Sequence, residues 1–216
     1  MSATFLYNTL QQNASDIFYE APIENKNGGQ TSYAQRNKDD RDFVYIQLAT
    51  KDDTPRLRCP FGISAPFDKT KVADPRKTLD IAYKNDALEK AMTGLEWQAV
   101  DFIHKNCVKW FGKEWDIEKV KANFVSVIRK PENAKYWSTI RTKLNVSGTF
   151  ECRVKLFLPD GRYQPGTIDD IVSGSEIIPI VRIAGLWFSS GKFGLTLECS
   201  DILVCNKAER PVFAFE

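Results

Sequence analysis

Histidine is nearly missing from this chain. His104 is the only one, and it lies inside a helical pattern with Phe102-Ile103 before it and Lys105 after. A histidine-based acid–base pair or a histidine-ligated zinc site would need partners that are not there. Cysteine is scarce and scattered. Cys59, Cys107, Cys152, Cys199 and Cys205 are odd in number, with no C-x-x-C spacing, and read as reduced, mostly buried thiols. Neither G-x-x-x-x-G-K-[ST] nor G-x-G-x-x-G occurs, so the loops that cradle nucleotide phosphates are absent. No apolar run could span a bilayer, and the opening MSATFLYNTLQQNASD has neither the basic start nor the apolar stretch of a signal peptide. A soluble cytosolic or nuclear protein with no membrane contact is expected. Charge of one sign is lacking too: 30 basic and 28 acidic residues leave +2. Affinity for a polyanion would therefore depend on where charges sit, not on a global field.

Further candidates for chemistry reduce to ordinary turns. The Asp pairs at 39–40, 52–53 and 169–170 fall in turn-like stretches, where Asp shapes the backbone. Pro159-Asp160 would suit a metal-dependent nuclease only with a second acid two residues before a Lys on the next strand, and none follows. The expectation is a non-enzyme with no catalytic residue, metal or cofactor.

Aromatic residues are plentiful. The 216 residues include 14 Phe, 7 Tyr and 5 Trp within a hydrophobic share of 43%. One large domain, or one domain with an insertion, can bury a core from these and still leave rings over for stacking.

Residues 1–42 are polar and turn-rich and read as an irregular arm with one short strand near Ile17–Tyr19. Phe43–Leu48 is a strand by its aromatic and β-branched content, with Arg56–Ile63 as its partner. In Lys77–Tyr83, Leu79, Ile81 and Tyr83 alternate with Thr78, Asp80 and Ala82, which predicts a half-buried strand. The period then lengthens. Leu88, Met92, Leu95, Ala99, Phe102 or Ile103, and Cys107 predict a helix of about 25 residues, opened by an Asp86/Glu89 capping box and stopped by Gly112. A short helix follows over Asp116–Phe124. Strands return at Phe124–Ile128, Ser138–Leu144, Thr149–Leu158, Ile177–Ser189 and Leu195–Cys205. In Thr149–Leu158, Phe150, Cys152, Val154, Leu156 and Leu158 share one face and Glu151, Arg153, Lys155 and Phe157 the other. Strands on both sides of one helical insertion predict a mainly β (α+β) fold, an OB-like barrel carrying a long helix between two of its strands.

The stretch Ser126–Lys143 holds Arg129, Lys130, Lys135, Arg141 and Lys143 against one acid, Glu132, with Tyr136 and Trp137 in its middle. Cations that track phosphates and rings that stack on bases are what a single-strand groove requires; a solvated edge strand blunted by Lys is the plainer alternative. In Val181–Phe188, Arg182, Ala184, Leu186 and Phe188 are read on one face and Val181, Ile183, Gly185 and Trp187 on the other. Arg182 in so apolar a strand calls for an anion or water, and Gly185 leaves room for a close approach; alternatively, Trp187 and Phe188 are core residues. Arg76-Lys77 and the Arg153/Lys155 face are further candidates on neighbouring strands. Gly191-Lys192-Phe193-Gly194 has the spacing of a backbone-clamping G-x-x-G loop, though strands flank it rather than helices.

Pro75-Arg76, an alternating strand, then Lys84-Asn85-Asp86 opening a long helix resembles the single-stranded DNA-binding protein family of short-tailed (podovirus) bacteriophages, which has relatives in large eukaryotic DNA viruses. The basic strand Thr139–Leu144, the strand Phe150–Leu158, Val181–Phe188 ending in aromatics and Leu195–Val204 follow in the family's order, and the GKFG turn looks more like the eukaryotic-virus branch. The resemblance spans roughly 43–205. It implies an OB barrel with a helix inserted at about 85–124, preceded by the arm 1–42 and followed by a tail 206–216. It implies coating of single-stranded DNA in replication, recombination and repair, with polymerase and helicase-primase as partners, in a replication compartment of the host cytoplasm or nucleus. A homodimer stays open. Position by position, the family's Arg entering the alternating strand matches Arg76, its basic residue after the helices matches Arg141 or Lys143, and its basic residue followed six positions later by an aromatic matches Arg182 and Phe188, beside Trp187. The family's long acidic tail has no counterpart, since Asn206–Glu216 carries two acids and two bases. Phe213 and Phe215, at period two after Pro211, are expected to dock on their own barrel, on a second copy or on a replication partner. A protein-interaction module and an RNA binder of the same fold remain as alternatives.

Overall fold

The computed structural model describes residues 3–10, 17–26, 28–36, 42–64 and 76–207. Phe213 and Phe215 lie outside them. In chain order the elements are β1 (Ala3–Leu6), β2 (Phe18–Tyr19), β3 (Ile23–Glu24), β4 (Gln30–Gln35), β5 (Val44–Gln47), β6 (Leu57–Arg58), β7 (Ile63–Ser64), β8 (Arg76–Tyr83), α1 (Asp86–Phe111), α2 (Ile117–Asn123), β9 (Phe124–Val125), β10 (Ile128–Arg129), β11 (Ser138–Asn145), β12 (Arg153–Phe157), β13 (Tyr163–Gly166), β14 (Glu176–Ser189) and β15 (Lys192–Asn206).

Five strands close a ring. β14 pairs antiparallel with β15, β15 parallel with β11, β11 antiparallel with β8, β8 with β6, and β6 with β14 again. This is an OB-like barrel, mainly β, with the long helix between β8 and β11. The seam at β6 is narrow: the single bridge Arg58↔Ala82 on one side and Glu176↔Arg58 with Ile177↔Leu57 on the other. Inside the ring lie Leu79 and Ile81 from β8, Ile140 and Leu144 from β11, Val181 and Ile183 from β14, and Leu195, Leu197 and Cys199 from β15, all buried. Four of the five thiols are buried and Cys205 is partly exposed. Burial pushes Cys59 up to about 11 and Cys199 to about 12.

α1 has the expected inward face, with Leu88, Met92, Leu95, Ala99, Ile103 and Cys107 all buried. Each such large apolar side chain contributes about 1.5–3 kcal/mol. Its cap differs from the expected Asp86. Asn85 is the N-cap, its Oδ1 accepting from Leu88 N at 3.0 Å, so Asp86 and Glu89 supply negative charge to the first turn instead. Gly112 ends the helix in the left-handed conformation (φ 65°).

The amino-terminal stretch is not an irregular arm with one strand. It supplies four strands, and β4 pairs with β14 over Gly185↔Tyr33 to Phe188↔Gln30. Phe102 of α1 meets Phe18 and Tyr19 of β2 edge-on, at 5.5 and 5.2 Å between ring centroids. Two further readings change. Regular pairing in the segment 149–158 covers only Arg153–Phe157; Phe150 lies in the turn before it, with its ring against Arg182. The alternation of Val181–Phe188 is interrupted by a bulge between Ile183 and Gly185. Val181 and Ile183 face inward, and beyond the bulge Leu186 and Phe188 do so, so Arg182 and Phe188 do not share a face.

Candidate nucleic-acid interface

The outward side of β11 is set by the pleat. Ile140, Thr142 and Leu144 turn in, so Thr139, Arg141 and Lys143 turn out. Opposite them on β8 stand Ala82, Asp80 and Thr78, and Lys143 also lies level with Glu198 on β15. Arg129 on β10 sits opposite Thr139 and joins the same face. A cleft of about 210 Å³ opens here, lined by Arg129, Arg141, Lys143, Val125, Leu195 and Trp187 among others. Trp187 is half-buried at its wall. Gly194, its partner across β14–β15, lets the indole lie close, since a Cβ there would come within 3.1 Å of Nε1 and 2.5 Å of the Val125 carbonyl oxygen.

Acids offset much of the positive charge on this side of the barrel. Arg141 is gripped by Asp80, which raises the guanidinium's proton affinity further. Arg182 is buried, paired with Glu198 and held between Phe150 (3.6 Å to the ring centroid) and Phe43 (4.8 Å). Its expected anion is thus a neighbour on β15. Arg153 pairs with Asp201 at 2.8 Å, and Arg58 lies 3.4 Å from Glu176. Arg129 and Lys155 are exposed and have no ion-pair partner among the described residues.

The candidate residues do not all gather in one place. Arg129, Arg141, Lys143 and Trp187 converge on the cleft. Lys135, Tyr136 and Trp137 stand at the start of β11. Tyr136 is 71% exposed, and Trp137 carries the Arg58 guanidinium 5.2 Å over its ring. Arg76 opens β8 opposite Asn145. Arg153 and Lys155 lie farther along, on β12, near Lys51 and Tyr163. Phe188 and Lys192 belong elsewhere. Phe188 is buried against Trp110, Phe111 and Phe193 and anchors the β14–β15 hairpin to α1. Lys192 lies in another cleft with Lys113, Trp115 and Lys119.

Three residues escaped the sequence reading. Asp80 was legible as a polar residue of β8 but not as the partner of Arg141. Arg58 had no visible link to Trp137, and Phe61, 70% exposed, sat unnoticed in a presumed strand. Glu96 supports the interface from α1: it accepts from Val127 N at 2.7 Å and Ser126 Oγ at 2.8 Å, fixing the approach to β10. Burial raises its carboxyl above the usual range, against those hydrogen bonds.

No family model and no curated protein matches the chain. Among solved structures it is similar to the single-stranded DNA-binding protein of bacteriophage Enc34 in a C-terminal truncation, at 10% identity and TM-score 0.46 over 91% of this chain and 98% of that one. The same Enc34 protein in complex with single-stranded DNA gives 0.44 at 10% identity, covering 88% and 97%. Gp2.5, a single-stranded DNA-binding protein encoded by bacteriophage T7, gives 0.45 at 15%, covering 73% and 86%.

Proposed function

We propose that the protein binds single-stranded DNA across the outer face of β8 and β11. The observation that carries this is the cleft in which Arg129, Arg141 and Lys143 gather around Trp187. Three cations spaced along two neighbouring strands suit successive phosphates, and an indole at the wall offers a base a stacking surface. OB barrels bind oligonucleotides on the equivalent strands. The likeness of motif order to phage single-stranded DNA-binding proteins supports a setting in DNA replication, recombination and repair, with replication enzymes as partners.

Intrinsic Trp fluorescence titrated with oligo-dT across a salt series tests this reading. Three to four phosphate contacts give a log K against log salt slope of about −2 to −3 for a single strand. The four acid-paired arginines of the surrounding face favour a second reading, a docking surface for another protein. Binding that is absent or flat with salt supports that second reading and sinks the first. Competition by oligo-U that matches oligo-dT would move the assignment to RNA.

A further inference from the structure

We propose that Phe61 is a base-stacking residue of this interface, an assignment that rests on the single-strand reading above. Its ring is 70% exposed, yet the loop that holds it is tied down. Cys59 N donates to Ser175 O at 2.9 Å, Gly174 N to Cys59 O at 2.7 Å and Ser173 Oγ to Pro60 O at 2.6 Å. Cys59 is wholly buried. Gly62 turns at φ 69°, where a Cβ would sit 3.3 Å from Ser173 N, so the turn favours glycine in both conformation and space. A bare ring on a fixed loop loses little conformational freedom when something covers it, which is how a preorganised contact is built.

Register gives the place. Arg58 pairs with Ala82 and Ile63 with Leu79, so the four residues 59–62 bulge out opposite only Asp80 and Ile81. Asp80 is the residue that grips Arg141. The Phe61 loop is therefore level with the Arg141 guanidinium, one strand away, at the narrow seam of the barrel. Arg58, with the Trp137 ring beneath it, flanks the loop on the same side. Arg58 and Arg141 are matched by Glu176 and Asp80, and Lys143 lies level with Glu198, while Arg129 is exposed with no ion-pair partner among the described residues. That unmatched guanidinium, in the cleft walled by Trp187, suits a polyanion with flat apolar faces. A base stacks on Phe61 while Arg141 faces the neighbouring phosphate.

The test compares the parent chain with Phe61→Ala, Phe61→Trp and Arg129→Ala, each titrated with oligo-dT and with an abasic deoxyribose-phosphate strand of equal length. Phe61→Ala should weaken oligo-dT binding about 5- to 150-fold and leave abasic binding and the melting temperature unchanged, while Phe61→Trp retains the affinity. Parent-like oligo-dT binding by Phe61→Ala, alongside weakened binding by Arg129→Ala, overturns the assignment, leaves the cleft reading standing and turns Phe61 toward a protein contact. An unchanged Arg129→Ala variant with no binding by the parent overturns the single-strand reading itself.

Discussion

Asp80 and Arg141 face each other across β8 and β11, joined by two parallel hydrogen bonds, Nε to Oδ1 and Nη2 to Oδ2, both 2.8 Å. The carboxylate fixes the guanidinium plane and cancels part of its charge. Asp80→Asn should therefore strengthen oligo-dT binding at low salt and steepen the salt slope by about 0.7. Arg141→Ala should make the slope shallower by a similar amount. Because Arg141 is partly solvent-exposed, losing the pair should cost only about 1 kcal/mol of stability. Fluorescence titrations at several salt concentrations, paired with urea melts, read both effects.

Trp187 lines the cleft, and its neighbour Phe188 is buried against α1. Trp187→Ala should cost about 1–3 kcal/mol of oligo-dT affinity with little change in melting temperature. Phe188→Ala should remove about 3–5 kcal/mol of stability while each folded molecule still binds normally. Measuring both quantities on both variants separates the roles, and the reverse pattern would assign Trp187 to the core.

Gly185 takes φ 144° where β14 passes β4, and a Cβ there would lie 1.9 Å from the Ser32 carbonyl oxygen. Gly185→Ala should destabilise the protein by about 2–5 kcal/mol, through backbone strain and the forced parting of the two strands. Hydrogen exchange should show the loss first in the amides of β4.

Glu96 links stability to pH. Its folded carboxyl binds a proton more tightly than the unfolded one, so the folded state holds more protons in the interval above the ordinary value of 4.5. The contribution of this group is thus greatest below that value and falls as pH rises through the interval. Glu96→Gln keeps an acceptor for Val127 N, and should flatten this slope without lowering stability at neutral pH. Glu96→Ala leaves that amide without its acceptor, at a cost of about 1–3 kcal/mol. Urea midpoints measured from acid to neutral pH check the sign.

How much of this could be read beforehand depended on whether the cause was local. Leu79, Ile81 and Tyr83 at period two and Leu88, Met92 and Leu95 at steps of three and four reveal β8 and α1, because each element's inward face repeats with its own geometry. The basic, ring-bearing approach to β11 was legible for the same reason, and Arg129, Arg141 and Lys143 do meet. β4 was not legible. Its polar run Gln30–Gln35 becomes a strand because β14, about 150 residues later, offers it an edge. The inward turn of Phe188 depends on a bulge that a period count cannot see. The pairing of Arg182 with Glu198 and of Arg141 with Asp80 depends on register between strands, which no single strand encodes.

The β14–β15 hairpin has a consequence for the order of events in folding. β14 holds β4, β5 and β6, while β15 holds β9, β11 and β12. Strands from across the first 160 residues thus each take one of their edges from residues 176–206. A ribosome will have released most of the chain before any of these pairings can form, and the emerging part can hold only α1 and the pairs among the earlier strands, such as β8–β11, with the ring still open. Closure then waits on contacts of long sequence separation, which makes for slow folding and a period of unpaired strand edges. Nascent chains halted before residue 176 should be protease-sensitive throughout β4–β6, and those extended past 206 and clear of the exit tunnel should become resistant in one step.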